Sequence, residues 1–334
     1  MTVLVTGGLG YIGSHACVAL AAAGHEVEIL DNLSNAKPSV LDRLKEISGK
    51  PMPFHEIDLR RKEPVEALFE KRAFGAVVHF AGLKAVGESV EKPALYRENN
   101  VGGSVNLLRA MAKSGVRRMV FSSSATVYGE PQQLPIPETH PLRPQSPYGE
   151  NKVDIERLLA ARAAEDPAFR YAALRYFNPI GAHPSGRIGE DPRGIPNNLL
   201  PFVAQVAVGR QPKLRVFGSD YPTVDGTGVR DYIHVMDLAA GHVAALQFLD
   251  QESITVNLGT GRGYSVLEVV RAFEQASGRA IPLEIHPRRP GDVAACYADA
   301  SLAAAKLGWQ ARAGIEEMCR DAWRWQSANP EGYP

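Results

Sequence analysis

The sequence is poor in cysteine, and its charges cancel. Its three cysteines, Cys17, Cys296 and Cys319, are too few and too scattered among 334 residues for a disulfide framework or a zinc site. The 37 basic and 37 acidic residues give a formal net charge of zero, so no overall basic field would attract nucleic acid or an anionic membrane. We therefore expect no metal site and no nucleic-acid or membrane partner, and a local site must bind any anionic ligand.

Long apolar runs are missing as well. No run approaches the ~20 residues that cross a bilayer, and Met1 to Gly7 lack the cationic lead of a signal peptide. We therefore expect a cytoplasmic protein. With 45% hydrophobic and 22% charged residues, the chain has the composition of an ordinary globular protein with one large or two modest domains.

Short apolar segments, the candidate strands, alternate with helix-compatible stretches in the first half of the chain. They cover residues 3–5, 26–30, 54–57, 76–80, 118–122 and 170–176. Parallel neighbours in a sheet need crossover connections of this length, so the order predicts an α/β fold with a Rossmann-type doubly wound parallel sheet. Six prolines between Pro131 and Pro147 predict an ordered loop over the end of the sheet, since regular helices and central strands exclude proline.

The pattern of the sequence changes after Phe177. Glycine and proline interrupt the apolar segments from Asn178 to Pro196 and again from Gly218 to Gly228. We therefore predict a larger domain over residues 1–176 and a smaller α/β region over residues 177–334, with segments of the second region returning to the first.

Gly7, Gly10 and Gly13 directly follow the first candidate strand and open a helix predicted over residues 11–23. Glycine here permits a tight turn, a close approach of the backbone to a pyrophosphate, and close packing of helix on strand. The free N–H groups of the helix N-terminus favour the anion. The pattern indicates a dinucleotide site, and a plain strand-to-helix turn is the alternative.

Two aspartates end the next two strands. Asp31 lies 18 residues beyond Gly13, near the spacing expected of an acidic residue that binds an adenosine ribose. A carboxylate there repels a 2′-phosphate, so NAD fits better than NADP; the alternative role of Asp31 is a helix cap. Asp58 is placed to meet the adenine, or is a solvated loop aspartate.

Tyr148 and Lys152 are four residues apart, which on a helix places both on one face. A cation beside a phenol lowers its pKa from ~10 and would let Tyr148 act as a base near neutral pH. An exposed helix pair is the alternative for such a motif in isolation. Ser124 follows the fifth strand, at the edge where doubly wound sheets bind ligands, and could hydrogen-bond a substrate hydroxyl or carbonyl. Ser122 and Ser123 could instead complete a turn.

With further motifs, these residues resemble the extended short-chain dehydrogenases/reductases and, within them, the UDP-glucose 4-epimerase family, also called UDP-galactose 4-epimerases. The similarity runs over essentially the whole chain. It includes the segments at 7–14, 31–33, 79–84, 122–129, 148–152, 175–179, 196–199, 225–234 and 288–292.

The resemblance implies one set of residues around NAD and a second around a UDP-sugar. The implied catalytic residues are Tyr148, Lys152 and Ser124. Besides these three, the implied cofactor-binding residues are Gly7, Gly10, Tyr11, Ile12, Gly13, Asp31, Asn32, Leu33, Asn35, Asp58, Leu59, Phe80, Ala81, Gly82, Lys84, Asn99 and Phe177. The implied substrate-binding residues are Ser124, Tyr148, Asn178, Asn198, Leu199, Phe217, Arg230, Tyr232, Arg289, Asp292 and Cys296.

Some of these positions have a simpler explanation when taken singly. Phe217 could be a core residue, and Arg230 and Arg289 could be solvated surface arginines rather than ligands of a diphosphate. His79, which lies within an apolar strand, is predicted to be a buried structural histidine rather than a ligand.

The resemblance also implies a reaction. Tyr148 would take the proton of the sugar 4-hydroxyl while hydride leaves C4 for NAD, Lys152 would hold the cofactor ribose, and Ser124 would bridge sugar and tyrosine. The 4-keto sugar would turn over in the site and receive the hydride on its other face, so that UDP-glucose and UDP-galactose interconvert without net redox change. Such chemistry requires a firm grip on UDP and a loose grip on the sugar.

Cys296 stands where such epimerases carry either a large tyrosine or a smaller residue beside the 2-substituent of the sugar. A small side chain leaves volume, so we hypothesise that UDP-N-acetylglucosamine and UDP-N-acetylgalactosamine are also substrates. The alternative is a buried cysteine that acts as a small hydrophobic residue.

Other functions compete with this prediction. A sugar-nucleotide 4,6-dehydratase needs an additional acid and base, supplied in that family by an Asp-Glu pair, whereas this chain has Ala125 and Thr126 there. Another NAD-dependent sugar-nucleotide oxidoreductase, such as a simple dehydrogenase, would release reduced cofactor. A non-catalytic NAD-sensing regulator would not need Ser124, Tyr148 and Lys152 together.

The resemblance extends to assembly. The segment from Val101 to Lys113 and the helix beginning near Tyr148 resemble the two helices that pack against their copies in homodimers of this family. We therefore expect a homodimer.

Overall fold

The computed structural model describes residues 1–289 and 291–334. Pro290, which is part of the 288–292 motif, lies outside the described residues.

The first half of the chain alternates strands and helices, as the sequence predicts. Its elements are β1 (Thr2–Thr6), α1 (Tyr11–Ala22), β2 (Glu26–Asp31), α2 (Val40–Ser48), β3 (Phe54–Glu56), α3 (Lys62–Lys71), β4 (Ala76–His79), α4 (Val86–Glu91), α5 (Pro93–Tyr96), a π-helical segment (Arg97–Gly102), α6 (Gly103–Ser114), β5 (Arg118–Ser122), a 3-10 turn (Ala125–Val127), α7 (Pro147–Glu165) and β6 (Arg170–Tyr176). All six predicted strands are present, and each agrees with its predicted bounds to within one residue at either end.

The second half contains shorter strands and the remaining helices. Its elements are β7 (Asn178–Ile180), α8 (Leu199–Ala207), β8 (Leu214–Phe217), β9 (Val229–His234), α9 (Val235–Phe248), β10 (Ile254–Leu258), β11 (Gly263–Ser265), α10 (Val266–Ser277), β12 (Leu283–His286), β13 (Ala295–Cys296), α11 (Ser301–Leu307) and α12 (Ile315–Ala328).

A parallel sheet is built mainly from the strands of the first half of the chain. Among the described residues it has seven strands in the order β10-β6-β5-β4-β1-β2-β3. Side chains alternate across it: Val3 and Val5 enter the core on the side of α1 and α9, whereas Leu4 enters the core on the side of α3, α6 and α7. The prediction of a doubly wound α/β fold is therefore confirmed. The strand order reverses between β1 and β4, which is where such sheets bind ligands at their carboxyl ends.

Smaller sheets follow in the second half. Strand β9 pairs with β7, β11 and β13, and β8 pairs with β12. Helices α8, α10 and α12 supply a third hydrophobic core, which includes Val203, Phe273 and Met318. Strand β10, in contrast, joins the large sheet beside β6, with Val256 opposite Leu174.

The proline-rich segment is a loop that is tied down at its middle. Ile136 donates its N–H to the Tyr297 carbonyl at 2.9 Å and accepts the Asp299 N–H at 2.8 Å. One detail of the prediction is wrong, because Pro147 begins α7 rather than ending the loop. Proline fits at a first helical position, where no N–H is needed for an intrahelical bond.

Within the part of the chain that the structure describes, no helix is long and apolar enough to cross a membrane. In the same residues, Cys17, Cys296 and Cys319 are unpaired thiols.

Candidate active site

The glycine turn joins β1 to α1 at the switch point of the sheet. Gly7 has φ of +68°, and a Cβ there would lie 2.7 Å from the Ala81 nitrogen. A Cβ on Gly13 would lie 2.1 Å from the Gly7 carbonyl oxygen. The first N–H groups of any helix have no intrahelical acceptor. Helix α1 begins after Gly10 without a side-chain cap, so no capping side chain accepts these N–H groups either. A cradle of this kind fits a pyrophosphate.

Asp31 ends β2 beside this turn. Its carboxylate accepts the Leu9 N–H at 3.2 Å and the Leu33 N–H at 2.9 Å. Burial raises the pKa of the carboxyl group, and these hydrogen bonds oppose the rise. The next helix begins only at Val40, so Asp31 does not cap it. The carboxylate lies where the glycine pattern predicts a group for a ribose diol.

Three other predicted cofactor-binding residues have different surroundings. Asp58 accepts from the Arg60 guanidinium at 2.6 Å, and this ion pair lowers the pKa of Asp58. Leu59 is buried in the core between the sheet and α6, whereas Asn35 is exposed. Their roles toward the cofactor stay predictions.

A hydrogen-bonded loop after β4 carries Lys84. Asn100, in the π-helical segment, accepts the Leu83 N–H at 2.8 Å and donates to the Leu83 carbonyl at 3.0 Å. The adjacent Asn99 donates to the Asn100 side-chain oxygen at 3.0 Å. A π-helical turn often marks a functional site. Here it places two asparagines in succession against the loop, of which the sequence analysis identified only Asn99.

Glu190 connects residues from both predicted sets. Its Oε1 accepts from Lys84 Nζ at 3.0 Å and from Asn198 Nδ2 at 3.3 Å. Lys84 is a predicted cofactor residue and Asn198 a predicted substrate residue, so the carboxylate lies between the two groups. Sequence reasoning missed Glu190 because an acidic residue in a glycine- and proline-rich segment gives no periodic signal. The Tyr11 hydroxyl joins the start of α1 to the second half of the chain, donating to the Gly181 carbonyl at 2.7 Å.

The triple serine turns the chain directly after β5. The Ser124 hydroxyl caps the following 3-10 turn, accepting from Thr126 N at 3.2 Å and from the Thr126 hydroxyl at 3.0 Å. Ser146 caps α7 by accepting the Gly149 N–H at 3.2 Å. Tyr148 therefore lies in the first turn of α7, opposite the serine turn.

Tyr148 and Lys152 are both buried on the face of α7 that meets β5. Lys152 Nζ donates to the Ser122 carbonyl oxygen at 2.7 Å and lies 5.6 Å from the centre of the Tyr148 ring. Burial lowers the pKa of Lys152 to about 8, against an opposing effect of Glu156. Burial raises the pKa of Tyr148 well above its ordinary value, and the Ser124 hydroxyl opposes this. The predicted lowering of the Tyr148 pKa is therefore not what these residues produce by themselves.

Three of the predicted substrate residues meet around β9. Arg230 donates to the carbonyl oxygens of Val229 and Val293, each at 2.9 Å, and its NH2 lies 3.5 Å from the Asp292 carboxylate. Cys296 stands opposite Arg230 in the β13–β9 pairing. Arg230 is thus held in place by the backbone beside a half-buried thiol.

A second predicted arginine lies over an aromatic ring. The Arg289 guanidinium carbon lies 3.8 Å from the centre of the Phe217 ring, which ends β8. Stacking leaves the edge of the guanidinium free to donate hydrogen bonds to an anion such as a diphosphate. Phe217 is therefore a platform for Arg289 rather than a core residue.

The remaining predicted substrate residues divide between core and surface. Tyr232 is buried in the third core, where burial raises the pKa of its hydroxyl, and Leu199 begins α8 and packs against the same core. Asn178 is exposed opposite Tyr232 in the β7–β9 pairing. Tyr232 lies two residues from Arg230 on β9, and the Arg230 charge opposes the rise of its pKa.

Two predicted aromatic residues, Phe80 and Phe177, pack in different apolar surroundings. Phe80 lies against His242, with ring centres 4.7 Å apart. Phe177 belongs to a small apolar cluster with Val153 of α7, and Cys296 packs against the same cluster. Burial raises the pKa of the Cys296 thiol to about 11, so it is a neutral side chain at physiological pH.

His79 has the structural role that its sequence context predicts. The ring is buried, with Nδ1 2.6 Å from the Thr6 hydroxyl and Nε2 2.9 Å from the Ser104 hydroxyl. Burial lowers its pKa to about 3.

The catalytic turn also bears on the dehydratase alternative. Ala125 and Thr126 form the first two residues of the 3-10 turn, and the Thr126 hydroxyl donates to Ser124. Neither side chain can act as an acid or base near neutral pH. The turn therefore lacks the acidic pair that the dehydratase family carries at these two positions.

A glycine turn at the switch point and a Ser-Tyr-Lys group at the same sheet edge define the extended short-chain dehydrogenase/reductase class. The family model described as GDP-mannose 4,6 dehydratase matches residues 4–322. A UDP-glucose 4-epimerase of Bacillus subtilis (strain 168) is 57% identical over 335 residues, covering 100% of this chain and 99% of the relative.

Solved structures agree. UDP-glucose 4-epimerase from Bifidobacterium longum, in complex with NAD+ and UDP, superposes with a TM-score of 0.97 at 51% identity and 100% coverage of both chains. The enzyme from Stenotrophomonas maltophila, with bound NAD and formylated UDP-arabinopyranose, gives a TM-score of 0.96 at 54% identity and 98% coverage of both chains. The chain belongs to the UDP-glucose 4-epimerase family, within the wider family that the GDP-mannose 4,6 dehydratase model describes.

Proposed function

We propose that this protein interconverts UDP-glucose and UDP-galactose by oxidation and reduction at C4 of the sugar, with tightly held NAD. The observation that carries the proposal is the burial of Tyr148 and Lys152 beside the serine turn, at the same sheet edge as the glycine turn. The relatives named above, which are UDP-glucose 4-epimerases, support it.

NAD, when bound, supplies the acceptor and donor of the hydride and a positive pyridinium charge. The glycine turn would hold its pyrophosphate and Asp31 its adenosine ribose, which favours NAD over NADP because the carboxylate repels a 2′-phosphate. Lys152 would hold the second ribose and Lys84 would lie nearby. The cofactor roles of the remaining predicted residues are part of the same proposal.

Tyr148 moves the proton at the sugar 4-hydroxyl. The Ser124 hydroxyl bridges sugar and phenol and stabilises the phenolate, since a hydrogen bond to a charged form favours that form. The Lys152 ammonium, fixed on the Ser122 carbonyl, supplies the positive charge behind the tyrosine. Return of the proton from Tyr148 completes the cycle, so the protein ends in its starting protonation state.

The positions around β9 would bind the nucleotide rather than the sugar. Arg289 on the Phe217 ring and Arg230 beside Asp292 carry the charge that a diphosphate needs. Asn178, Asn198, Leu199 and Tyr232 complete the proposed UDP-binding residues. A firm hold on UDP with a loose hold on the sugar lets the 4-keto intermediate present either face for reduction.

Cys296 would set the space beside the sugar 2-substituent. Its thiol is small, half-buried and neutral, and it stands opposite Arg230 of the proposed diphosphate site. We infer that the pocket also accepts UDP-N-acetylglucosamine and UDP-N-acetylgalactosamine.

The proposal assigns residues 1–176 to NAD binding and residues 177–334 mainly to the UDP-sugar, with β10 returning to the large sheet. We further infer a homodimer located in the cytoplasm. Val86, Val90 and Leu95 are exposed apolar side chains on α4 and α5, which pack beside α7, and an interface between copies would cover them. Unpaired thiols are typical of a reducing compartment.

The deciding experiment needs only purified protein and two substrates. The protein is incubated without added cofactor with UDP-galactose and, in parallel, with UDP-N-acetylgalactosamine, and the 4-epimers are separated by chromatography. Conversion of both supports the reaction, retained NAD and an open pocket at Cys296. Conversion of UDP-galactose alone keeps the reaction and removes the inference about Cys296. Failure of both, even after NAD is supplied, overturns the proposed function.

A further inference from the structure

A buried ion pair lies beneath the catalytic groups. Glu156 is on α7 and Arg175 is on β6, and both are less than one-tenth exposed. The contact is bidentate, with Arg175 NH2 at 2.6 Å from Glu156 Oε2 and Arg175 Nε at 3.0 Å from Oε1. Two charges are costly to remove from water, and a bidentate, fully hydrogen-bonded geometry is what makes such burial tolerable.

The pair reaches the catalytic turn through a serine. The Ser123 hydroxyl donates to Glu156 Oε1 at 2.6 Å. Ser123 lies between Ser122, whose carbonyl oxygen accepts from Lys152, and Ser124, the residue proposed to bridge sugar and tyrosine. Glu156 therefore fixes Ser123, whose neighbours in the chain are the residue that binds Lys152 and the residue proposed to contact the sugar.

The arginine is fixed in turn from the far side. Arg175 NH1 donates to the Tyr128 hydroxyl at 3.2 Å and to the Glu138 carbonyl oxygen at 3.2 Å. The Tyr128 hydroxyl donates to Asn257 Oδ1 at 2.6 Å. Tyr128 directly follows the 3-10 turn, Glu138 lies in the proline-rich loop and Asn257 is on β10, so the pair is connected to three separate segments behind the site.

Helical spacing also brings Glu156 toward the reacting groups. Tyr148, Lys152 and Glu156 follow one another at intervals of four residues, so all three lie along one face of α7. The negative charge of Glu156 raises the pKa of Lys152, against the lowering by burial.

Other groups also surround the Lys152 ammonium. From β5 come the Ser122 carbonyl and the Phe121 ring, whose centre is 4.9 Å from Nζ. From β4 comes His79, which is neutral because burial and the Lys152 charge lower its pKa to about 3. From β6 come Arg175, bound to Glu156, and the Tyr176 hydroxyl, which is 2.6 Å from the Ser122 hydroxyl.

We propose that Glu156, held by Arg175, is a positioning residue for the epimerase reaction, which fixes the Ser122–Ser124 turn and places a carboxylate one helical turn from Lys152. The inference rests on the proposed function. Sequence reasoning stopped at the Tyr-x-x-x-Lys spacing, although Glu156 continues it by one more turn and Arg175 directly follows the buried apolar residues Ala172 to Leu174 of β6.

The test replaces the carboxylate by an amide of the same shape, Glu156→Gln, and measures the pKa of Lys152 by NMR of carbon-13-labelled lysine. The Lys152 resonance is assigned by its absence in a Lys152→Met protein. We expect the pKa to fall by roughly one unit, since an opposite charge has been removed. The pH at which kcat declines on the alkaline side should fall by the same amount. At pH values below that decline, kcat should be lower than in the wild type by about tenfold or more, because the serine turn is less firmly positioned.

The matched control is Arg175→Lys, which removes the bidentate contact with Glu156 and keeps both charges. Its Lys152 pKa and alkaline decline should stay at the wild-type values, even if the protein is less stable. Because Glu156→Gln leaves Arg175 buried without its counter-charge and could prevent folding, the double variant Glu156→Gln with Arg175→Gln repeats the measurement with no unpaired charge. Because the two opposite charges are removed together, its Lys152 pKa should fall by less than in Glu156→Gln, whereas its kcat should fall by a similar factor, since the turn again lacks its carboxylate partner.

The outcomes separate the two proposals. A Lys152 pKa that stays unchanged in folded Glu156→Gln overturns the inference, and so does an equal shift in Arg175→Lys or a wild-type kcat in the double variant. Loss of the proposed function would appear instead as a wild-type protein that does not convert UDP-galactose, a result that leaves the NMR measurement free to decide the role of Glu156.

Discussion

Lys152 lies one turn after Tyr148 on α7, yet its ammonium donates to the Ser122 carbonyl oxygen at 2.7 Å and stays 5.6 Å from the centre of the Tyr148 ring. The lysine is thus attached to the serine turn rather than to the phenol. Burial raises the pKa of Tyr148, and the Ser124 hydroxyl opposes the rise. Under the proposed function, the Lys152 charge and the bound cofactor would have to stabilise the phenolate further, so the phenol would act as a base only in the assembled site.

Tyr148→Phe should abolish most of the activity and leave the fold intact. The change keeps the buried ring and removes the group that moves the proton, so kcat should fall by on the order of 10²–10⁴-fold. The free energy of unfolding should change by about 1 kcal/mol, the net contribution of one hydroxyl hydrogen bond. Steady-state kinetics with UDP-galactose and urea unfolding check both expectations.

Tyr176→Phe is the matched control. It also removes a buried hydroxyl next to the serine turn, 2.6 Å from the Ser122 hydroxyl, but from a tyrosine with no proposed part in proton transfer. We expect it to keep kcat within about tenfold. Equal losses in the two variants would contradict the assignment of Tyr148 as the base.

Gly13→Ala should destabilise the protein and prevent NAD binding. The new Cβ would lie 2.1 Å from the Gly7 carbonyl oxygen, which belongs to the phosphate-binding turn itself. Overpacking against backbone costs about 1–3 kcal/mol or more, because neither element can shift easily. Thermal unfolding and calorimetric titration with NAD measure the two effects.

A second glycine serves as a control, to show that loss of NAD binding comes from the position of Gly13 in the turn and not from a glycine-to-alanine change as such. Gly87 is exposed on helix α4, and a Cβ added there would have no other atom within 4 Å. Gly87→Ala should therefore stabilise the protein by up to ~1 kcal/mol and leave NAD binding unchanged. Similar NAD affinities in Gly13→Ala and the wild type would show that the turn does not approach the cofactor.

The difference between Asp31 and Glu190 shows how far sequence reasoning reaches in this fold. Asp31 was predictable because strand, glycine turn and acidic residue have fixed spacing along the chain, and the structure places its carboxylate on the turn. Glu190 was not predictable, since its partners Lys84 and Asn198 come from distant segments and meet only in three dimensions. Among the described residues, six of the seven strands of the large sheet were predictable to within a residue, because a short apolar segment is a local property, whereas β10, which joins the sheet from the second half of the chain, was not predicted.

Three buried histidines should make the protein acid-sensitive. Burial lowers the pKa of His15 to about 3, of His79 to about 3 and of His242 to about 4. The unfolded chain binds these protons at its ordinary pKa of about 6.5, so it takes up more protons than the folded protein as the pH falls below that value. Each group therefore contributes stability that is present near neutral pH and is lost on acidification, by about 1.4 kcal/mol per pH unit.

His242→Phe checks this by removing one titrating group while keeping an aromatic ring against Phe80. Between about pH 6 and about pH 5, its free energy of unfolding in urea should fall less steeply than that of the wild type, by about 1.4 kcal/mol per pH unit. The same comparison at about pH 8, where neither state is protonated, gives the packing effect alone. Parallel curves over the acidic range would mean that His242 does not titrate on unfolding.

Cys296→Tyr should change which sugars are accepted without changing the reaction. Cys296 packs against the Phe177 cluster and stands opposite Arg230, so a large side chain there enters the space proposed for the sugar 2-substituent. Conversion of UDP-N-acetylgalactosamine should fall by about 100-fold or more, because the tyrosine side chain would overlap with the acetamido group and exclude it from the pocket. Conversion of UDP-galactose should be kept.

Cys296→Ser, which preserves the size, should retain both activities, since the neutral thiol contributes volume and no charge. If Cys296→Tyr converts both sugars as the wild type does, the acetamido group lies elsewhere and the pocket must be reassigned.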